Sequence, residues 1–314
     1  MYLILFLCFC LCTLTLLSLS AKWIEFFRTS VLPYGKLNTT TQKPTSPLGH
    51  WLAQWTVPKA WFAHFYLVGL AMTIENTLEI IVLLKYQVRG PIMSTLYMLD
   101  NEKLGDTMSR QDCLVALTLV ILHLARRVYE SLYIERPSQQ AKMHISHYLT
   151  GLGFYGAMVF GTWLEGAANL GVYGDIINNN HTSNMDSSKQ VSIPTIVRTT
   201  LGVLLFLYAT NHQHTCHHIL GSLRKNIGSG YQIPQGDWFE WIVVPHYLCD
   251  ILIYLALNIL NGFKNWIFLC GLIWTTINLT ITASETKIWY QKTFGDEYKK
   301  KFPKGRWIIL PWVY

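Results

Sequence analysis

Long apolar segments separated by short polar turns constrain the fold of this chain more than any other feature. Seven such segments can be counted, and each is close to the ~20 residues that a helix needs to cross the hydrocarbon core of a membrane. They cover residues 2–20, 62–84, 113–134, 146–168, 195–214, 241–261 and 265–284. Only 14% of the residues are charged, whereas a soluble domain would carry about 25%. The sequence therefore predicts an all-α, polytopic integral membrane protein with about seven transmembrane helices.

The first segment admits two interpretations. Lys22 and Arg28 follow it and no basic residue precedes it, which favours a retained helix, whereas the small residues 18–21 still permit cleavage as a signal peptide. Cytosolic loops are enriched in Lys and Arg. A luminal N-terminus places most of the 25 Lys and Arg residues in the cytosol, and the tail 285–314 contributes most. We therefore expect a cytosolic C-terminus and a luminal loop at 171–193. Because this bias also explains the net charge of +7, we expect no nucleic-acid partner.

Ionisable residues within the third apolar segment are candidates for function, because charged side chains are costly inside a membrane. His123, Arg127 and Glu130 have the spacing of one helix face, and Glu130 is also four residues from Arg126. An ion pair that only fixes helix packing is one interpretation. The other is that a guanidinium faces a polar cavity and binds phosphate, for which its planar fork is suited.

A histidine-rich sequence follows the fifth segment. His214, His217 and His218 share a helix face and match the spacing of one box of membrane di-iron enzymes. Such enzymes need further histidine boxes, and the chain offers only the pair His144 and His147. We therefore expect no metal site, and interpret the cluster as a polar helix end that binds a ligand through hydrogen bonds.

Several motifs at helix ends and turns occur in a characteristic order. They are Val57-Pro58-Lys59-x-Trp61-Phe62-x-His64-Phe65-Tyr66, His123-x-x-x-Arg127, Leu223-Arg224-Lys225, Tyr231-x-Ile233-Pro234-Gln235-Gly236-Asp237-Trp238, Trp289-Tyr290 and Phe302-Pro303-x-x-Arg306. Together they resemble the steroid 5α-reductase family, and the first and fourth resemble its polyprenal reductase branch. The resemblance is strongest over residues 200–314.

This resemblance implies a multi-pass enzyme of the endoplasmic reticulum membrane that uses NADPH. Its substrate would be a long-chain polyprenyl lipid, whose α-isoprene double bond is reduced to supply dolichol for protein N-glycosylation. A C=C bond accepts hydride when it is conjugated to a polarised carbonyl, so an aldehyde is the chemically sensible substrate. We expect one membrane domain over 1–314, with substrate-side helices in 1–120 and a reductase region with NADPH-binding turns in 121–314. The oligomeric state is left open.

The same resemblance assigns the cofactor side residue by residue. The positions expected to bind NADPH are Arg127, Gln213, His217, Arg224, Lys225, Tyr231, His246, Asp250, Tyr290 and Arg306. Four of these differ from the steroid branch, where Gln213 and His217 correspond to Asn and Asp, and His246 and Asp250 to Asn and Glu. For Tyr231 and Tyr290 the alternative is simple anchoring at the membrane interface.

The substrate side departs from the steroid branch. That branch holds a ketone with a glutamate and a tyrosine, and this chain has Thr56 and Leu124 at those places. The acid must then come from elsewhere, and we expect His64 or Tyr66 to be catalytic by donating a hydrogen bond to the aldehyde oxygen. The residues expected to bind substrate are Trp61, Phe62 and His123. The aromatic run could instead be an interface belt without chemistry.

Three hypotheses of function follow. The first is NADPH-dependent reduction of polyprenal. The second is a 3-oxo-5α-steroid or enoyl-thioester reductase of the same fold. The third is a non-catalytic membrane scaffold whose polar residues serve packing. The basic and tyrosine-bearing turns all fall on one side of the expected topology, which argues against the scaffold.

Overall fold

Helices dominate the structure, a computed structural model that describes residues 2–24, 46–99, 106–135, 140–173, 192–224 and 231–310. The elements are α1 (Tyr2–Trp23), α2 (Pro47–Ala53), β1 (Thr56–Pro58), α3 (Phe62–Tyr86), α4 (Pro91–Leu99), α5 (Arg110–Tyr129), β2 (Lys142–His144), α6 (Ile145–Gly161), α7 (Ile193–Leu223), α8 (Pro245–Leu260) and α9 (Trp266–Lys301). A π-helical turn, Glu130–Ile134, extends α5. Of the predicted site residues, Lys225 lies outside the described ranges, as does most of the expected luminal loop.

The long helices coincide with the predicted apolar segments. Within the described ranges, four helices are long and apolar enough to cross a membrane: α1, α3 with the turn before it, α7 and α9. Helix α8 is apolar but shorter. The expectation of a polytopic helical membrane protein therefore agrees with these helices, while the count of seven spans stays a prediction.

Two short strands add a feature that the all-α prediction did not include. Strands β1 and β2 pair antiparallel, with Thr56 opposite His144 and Pro58 opposite Lys142. The pair is extended by hydrogen bonds from Lys59 N to Ala141 O (2.8 Å) and from Ile145 N to Trp55 O (2.8 Å). Three-residue strands leave little periodicity to detect in a sequence. Their effect is to hold the beginnings of α3 and α6 side by side.

The helices pack in pairs around one large apolar core. Helix α7 runs along α8, α1 packs on α9, and α3 contacts both α5 and α6. Buried aromatic residues such as Trp163, Phe206 and Phe268 fill the interior. The site described below lies among five of these helices, α3, α5, α6, α7 and α8.

A glycine permits the close approach that brings α5 and α7 together at the site. A Cβ on Gly221 would lie 2.4 Å from the carbonyl oxygen of Ile134, a distance that no real side chain tolerates. Glycine at this position lets the end of α7 lie directly against the π-helical turn. That contact sets the polar residues of the turn opposite the histidines of α7.

The C-terminal segment returns to the loop between α7 and α8. Val243 N donates to Trp307 O (2.9 Å), and Trp307 N donates to Trp241 O (2.8 Å). The loop itself turns at Gly236 (φ +88°) and Asp237 (φ +46°), a left-handed turn that Gly and Asp adopt more readily than most residues. His212 on α7 contacts the Asp237 carboxylate at 2.9 Å and fixes this loop against the helix.

Candidate active site

Arg127 is the centre of a buried polar cluster. Its Nη1 donates to Glu130 Oε2 (2.6 Å) and Glu135 Oε1 (2.9 Å), and its Nη2 donates to the hydroxyl oxygen of Tyr66 (2.6 Å). His217 Nδ1 lies 2.6 Å from Nη1 and 2.8 Å from Glu130 Oε2. Both hydrogens of Nη1 point to carboxylates, so Nη1 has none left for His217. Every hydrogen bond is formed when His217 Nδ1 carries a hydrogen and donates a hydrogen bond to Glu130. One guanidinium thus joins α3, α5 and α7.

Arg126 extends this cluster to α8. It donates to Glu130 Oε1 (2.6 Å) and to the side-chain oxygen of Gln213, and its Nη2 lies 3.2 Å from His123 Nδ1. The amide nitrogen of Gln213 in turn donates to Asp250 Oδ1. The spacing explains the convergence, since Gln213 and His217 are one turn apart on α7 and present the same face to α5.

Within this cluster, negative groups outnumber the guanidinium groups. The guanidinium groups of Arg126 and Arg127 bond to the buried Glu130 and the half-buried Glu135, and the half-buried Asp250 joins them through Gln213. Burial would raise the pKa of Glu135, but Arg127 and His217 hold that pKa below its usual value. The cluster is therefore already neutralised or slightly negative. Such an environment suits a polar but uncharged ligand group better than a phosphate.

A metal is not needed to explain the acidic group. The ligand atoms of Glu130, Glu135 and His217 lie within 4.8 Å of one another, close enough to share a cation. Arg127 Nη1 is within 2.9 Å of an atom of each of them, so the guanidinium already stands where a cation would. Of the predicted histidine face, His214 also contacts Glu130 (2.8 Å), whereas His218 is exposed.

Arg306 forms a second, separate polar centre. Its Nη1 donates to the backbone oxygens of Phe239 (2.9 Å) and Pro234 (3.3 Å). Its guanidinium carbon lies 4.1–5.4 Å from the centroids of three aromatic rings, those of Phe302, Tyr298 and Tyr290. Nη2 is enclosed and has no partner among the described residues. A buried, unpaired cationic nitrogen is costly, so an anionic ligand would be stabilised here once a small movement of the neighbouring side chains opens Nη2 to it.

A polar cleft of about 570 Å³ opens near this centre. Its walls come from the end of α7, from residues 231–235 and from the end of α9. Tyr231 is 62% exposed and stands edge-on to Trp289, with ring centroids 4.8 Å apart. Arg224 directly follows the α7 wall and is exposed. Three predicted cofactor residues, Arg224, Tyr231 and Arg306, therefore belong to this end of the molecule.

Aromatic rings form a continuous row from the exterior to the polar cluster. Neighbouring ring centroids are 5.2, 5.6, 6.3 and 5.3 Å apart along this aromatic row, which consists of Trp61, Tyr148, Phe65, Tyr155 and Tyr66. Trp61 is 39% exposed, whereas Tyr66 is buried. The row lies between α3 and α6, the two helices that the strand pair aligns.

The two candidate acids occupy different places. Residues two apart on a helix point to nearly opposite sides. Tyr66 accordingly reaches Arg127, while His64 Nδ1 lies 3.1 Å from the hydroxyl of Tyr148 and its ring packs near Trp61. Phe62 packs against Phe65 rather than against the polar cluster. The structure thus joins Tyr66, and not His64, to the predicted cofactor residues.

The remaining predicted residues fall into the same two centres. His246 packs near His217 and Phe239, between the Arg127 cluster and the Arg306 loop. Tyr290 stacks on Phe294 and Tyr298 beneath Arg306. Sequence reasoning missed Glu135 and Tyr148. Glu135 lies just beyond the last residue of the predicted segment, and only the π-helical turn brings its carboxylate back to Arg127.

Comparison with known proteins decides the family. A family model described as 3-oxo-5-alpha-steroid 4-dehydrogenase matches residues 167–314. Polyprenal reductase 1 of Arabidopsis thaliana is 30% identical over 94% of this chain and 97% of its own length. The polyprenal reductases of Xenopus laevis and Homo sapiens are 28% and 27% identical over 90% of this chain and 84% and 85% of theirs. The chain belongs to the polyprenal reductase branch of the steroid 5α-reductase family.

Membership of this family makes the protein an oxidoreductase that acts on a carbon–carbon double bond. The non-catalytic scaffold is therefore excluded. The expected resemblance is confirmed, and the matched region includes the Arg306 centre, the cleft and the α7 and α8 parts of the polar cluster.

Proposed function

We propose that this protein reduces the α-isoprene double bond of polyprenal with NADPH, in the endoplasmic reticulum membrane, on the route from polyprenol to dolichol used in protein N-glycosylation. One observation carries the proposal. Proteins named polyprenal reductase match up to 94% of the chain and up to 97% of their own length. In this proposal the seven helices of sixteen or more residues within the described ranges cross the membrane, and the C-terminus and the cleft face the cytosol, where NADPH is available.

The described residues fit a dinucleotide at two centres. Arg306, with its unpaired Nη2, and Arg224 beside the cleft would hold phosphate groups through charge-assisted hydrogen bonds. Tyr231 and Tyr290 would contribute aromatic and hydroxyl contacts there. We also assign Lys225, which follows Arg224 in the chain, to phosphate binding.

The other end of the dinucleotide would meet the Arg127 cluster. Its side chains offer hydrogen-bond donors and acceptors without a large excess of positive charge, as a carboxamide or ribose hydroxyl requires. The residues that we assign to this end are Arg127, Gln213, His217, His246 and Asp250. When bound, NADPH supplies the hydride that C3 of the substrate accepts, and a proton added at C2 completes the reduction.

Tyr66 is our choice for the group that polarises the aldehyde. Its oxygen already accepts a hydrogen bond from Arg127, so its own hydrogen is available to a substrate oxygen. Negative charge develops on that oxygen as the double bond is reduced, and Arg127 would stabilise the charge through the phenol. His64, Trp61 and Phe62 would line the approach of the lipid, and His123 would support Arg126.

A steroid substrate fits less well. Thr56 lies in strand β1 opposite His144, and Leu124 is buried in the apolar core beside Gly69. Neither side chain can supply the carboxylate or phenol that a 3-oxosteroid would use. Steroid reduction is nevertheless the alternative to be tested, because the matching family model is described as a steroid dehydrogenase.

The test is turnover by purified protein in lipid nanodiscs, with NADPH and either a long-chain polyprenal or testosterone. We expect the polyprenal product to gain two hydrogens by mass, and one deuterium when the transferred hydride is labelled. Equal catalytic efficiency on testosterone and on polyprenal would refute the proposed substrate. Reduction of an enoyl thioester in preference to both would favour the other alternative.

A further inference from the structure

Two tyrosines in the interior have hydroxyl groups without a hydrogen-bond partner among the residues that the structure describes. Tyr155 on α6 and Tyr254 on α8 are buried or half-buried within the apolar core, and neither hydroxyl makes a hydrogen bond to any described residue. Neither oxygen is among the fully enclosed polar atoms without a partner, so each borders space that a small group can reach. A buried hydroxyl usually has a partner, which makes these two exceptions informative.

Both tyrosines lie next to the predicted reaction centre. The ring of Tyr155 stands edge-on to that of Tyr66, with centroids 5.3 Å apart and planes at 78°. The ring of Phe154 contacts both, with centroids 5.7 Å from Tyr155 and 5.5 Å from Tyr254. Tyr254 follows Asp250 by one helical turn and therefore shares its face of α8.

Electrostatic interactions support the same arrangement. Tyr155 lies within electrostatic range of Tyr66, Tyr254 and Asp250, and Tyr254 lies within range of Tyr66 and Asp250. Three phenols, from α3, α6 and α8, therefore belong to the region where the aromatic row ends. Apolar neighbours surround them, among them Leu124, whose methyl groups border the same glycine, Gly69, as the Cβ of Tyr155.

We propose that Tyr155 and Tyr254 are substrate-binding residues that hold the aldehyde oxygen of the polyprenyl head together with Tyr66. The inference rests on the proposed function. Two unpaired hydroxyl donors in an apolar interior match a ligand with one strong acceptor and an otherwise hydrocarbon body. The same donors would strengthen their hydrogen bonds as negative charge builds on the oxygen, so they contribute to turnover as well as to binding.

The test uses Tyr155→Phe, Tyr254→Phe and the double variant of the full chain in nanodiscs, because each change removes one hydroxyl and keeps the ring. Tyr86→Phe, at an exposed position on α3, is the matched control. Binding of a long-chain polyprenal and of the matching polyprenyl hydrocarbon is measured without cofactor, and kcat/KM and the Kd of NADPH are measured separately.

We expect each single variant to lower polyprenal affinity and kcat/KM by about three- to tenfold, as loss of one neutral hydrogen bond predicts. The double variant should lose more, while hydrocarbon and NADPH affinity stay unchanged. Unchanged kcat/KM in the double variant overturns the inference, as does an equal loss of hydrocarbon binding. Failure of the wild-type protein to reduce polyprenal would instead refute the proposed function, because the cofactor-free binding assay does not depend on it.

Discussion

Replacing Arg127 by Lys tests the central contact of the site. Lysine keeps the positive charge but has one ammonium group, which cannot reach Tyr66, Glu130 and Glu135 together as the guanidinium does. At least two charge-assisted hydrogen bonds are lost, each worth roughly 1.5–3 kcal/mol. Breaking a buried ion pair costs about 3–5 kcal/mol. We therefore expect the free energy of unfolding to fall by about 3 kcal/mol or more.

The functional effect is separable from this loss of stability. If Arg127 serves the nicotinamide half, the Kd of NADPH should rise about tenfold in the variant, because one charge-assisted contact is lost. Affinity for 2′,5′-ADP, which lacks the nicotinamide, should stay the same. Calorimetry on the nanodisc-embedded protein measures both ligands, and thermal unfolding measures stability.

Arg198→Lys is the matched control. Arg198 on α7 forms an ion pair with Asp112 on α5, away from the Arg127 cluster. Its Nη2 lies 2.9 Å from each of the two carboxylate oxygens. This variant should lose stability and keep its NADPH affinity. The assignment of Arg127 to the cofactor would be refuted if Arg127→Lys bound NADPH with wild-type affinity. It would also be refuted if Arg127→Lys and Arg198→Lys lost NADPH affinity equally. A parallel loss of 2′,5′-ADP affinity would instead assign Arg127 to phosphate.

The remaining predictions concern the phosphate end, the acid, the helix contact and the topology. Arg224→Ala and Arg306→Ala should each raise the Kd of both NADPH and 2′,5′-ADP by about tenfold, and normal values in both would exclude a phosphate role. Tyr66→Phe should lower kcat by 10²-fold or more, and His64→Ala should change KM more than kcat, as steady-state kinetics will reveal. Gly221→Ala should destabilise the protein by about 1–3 kcal/mol in thermal unfolding, and an unchanged stability would contradict the close helix contact. A glycosylation site appended to the C-terminus should stay unmodified while one in the loop before α7 is modified, and the reverse pattern would overturn the orientation.

The helices were predictable because each rests on local information. About twenty consecutive apolar residues identify a membrane-type helix, and residues three or four apart identify a shared face. The pairing of Arg126 and Arg127 with Glu130 follows from that spacing alone. The strand pair and the π-helical turn are not local in this sense. Thr56 and His144 pair although they belong to distant parts of the chain, and Glu135 reaches Arg127 only because the turn bends back.

Contacts between distant segments were the least predictable part of the site. Family resemblance placed Gln213 and Asp250 on the cofactor side, yet their hydrogen bond to each other and to Arg126 depends on how α7 packs along α8. The surroundings of Arg306 likewise depend on the return of the C-terminal segment to the loop before α8. In physical terms, a sequence specifies which face of a helix is polar but not which polar face it will meet.

Because His64 and Tyr66 lie at opposite ends of the aromatic row, they are expected to meet different parts of a long lipid. A polyprenyl tail is far longer than any interior space in a protein of 36.2 kDa, so only its head can enter while the tail stays among lipids. We expect the lipid to follow the aromatic row, because the row begins at the half-exposed Trp61 and ends at the buried Tyr66. His64 lies at the outer end of this path, bonded to Tyr148, where an isoprene chain would pass but an aldehyde would not rest. The chemistry is therefore expected at the inner end, where Arg127 holds the Tyr66 oxygen, and the outer end is expected to control which lipids enter.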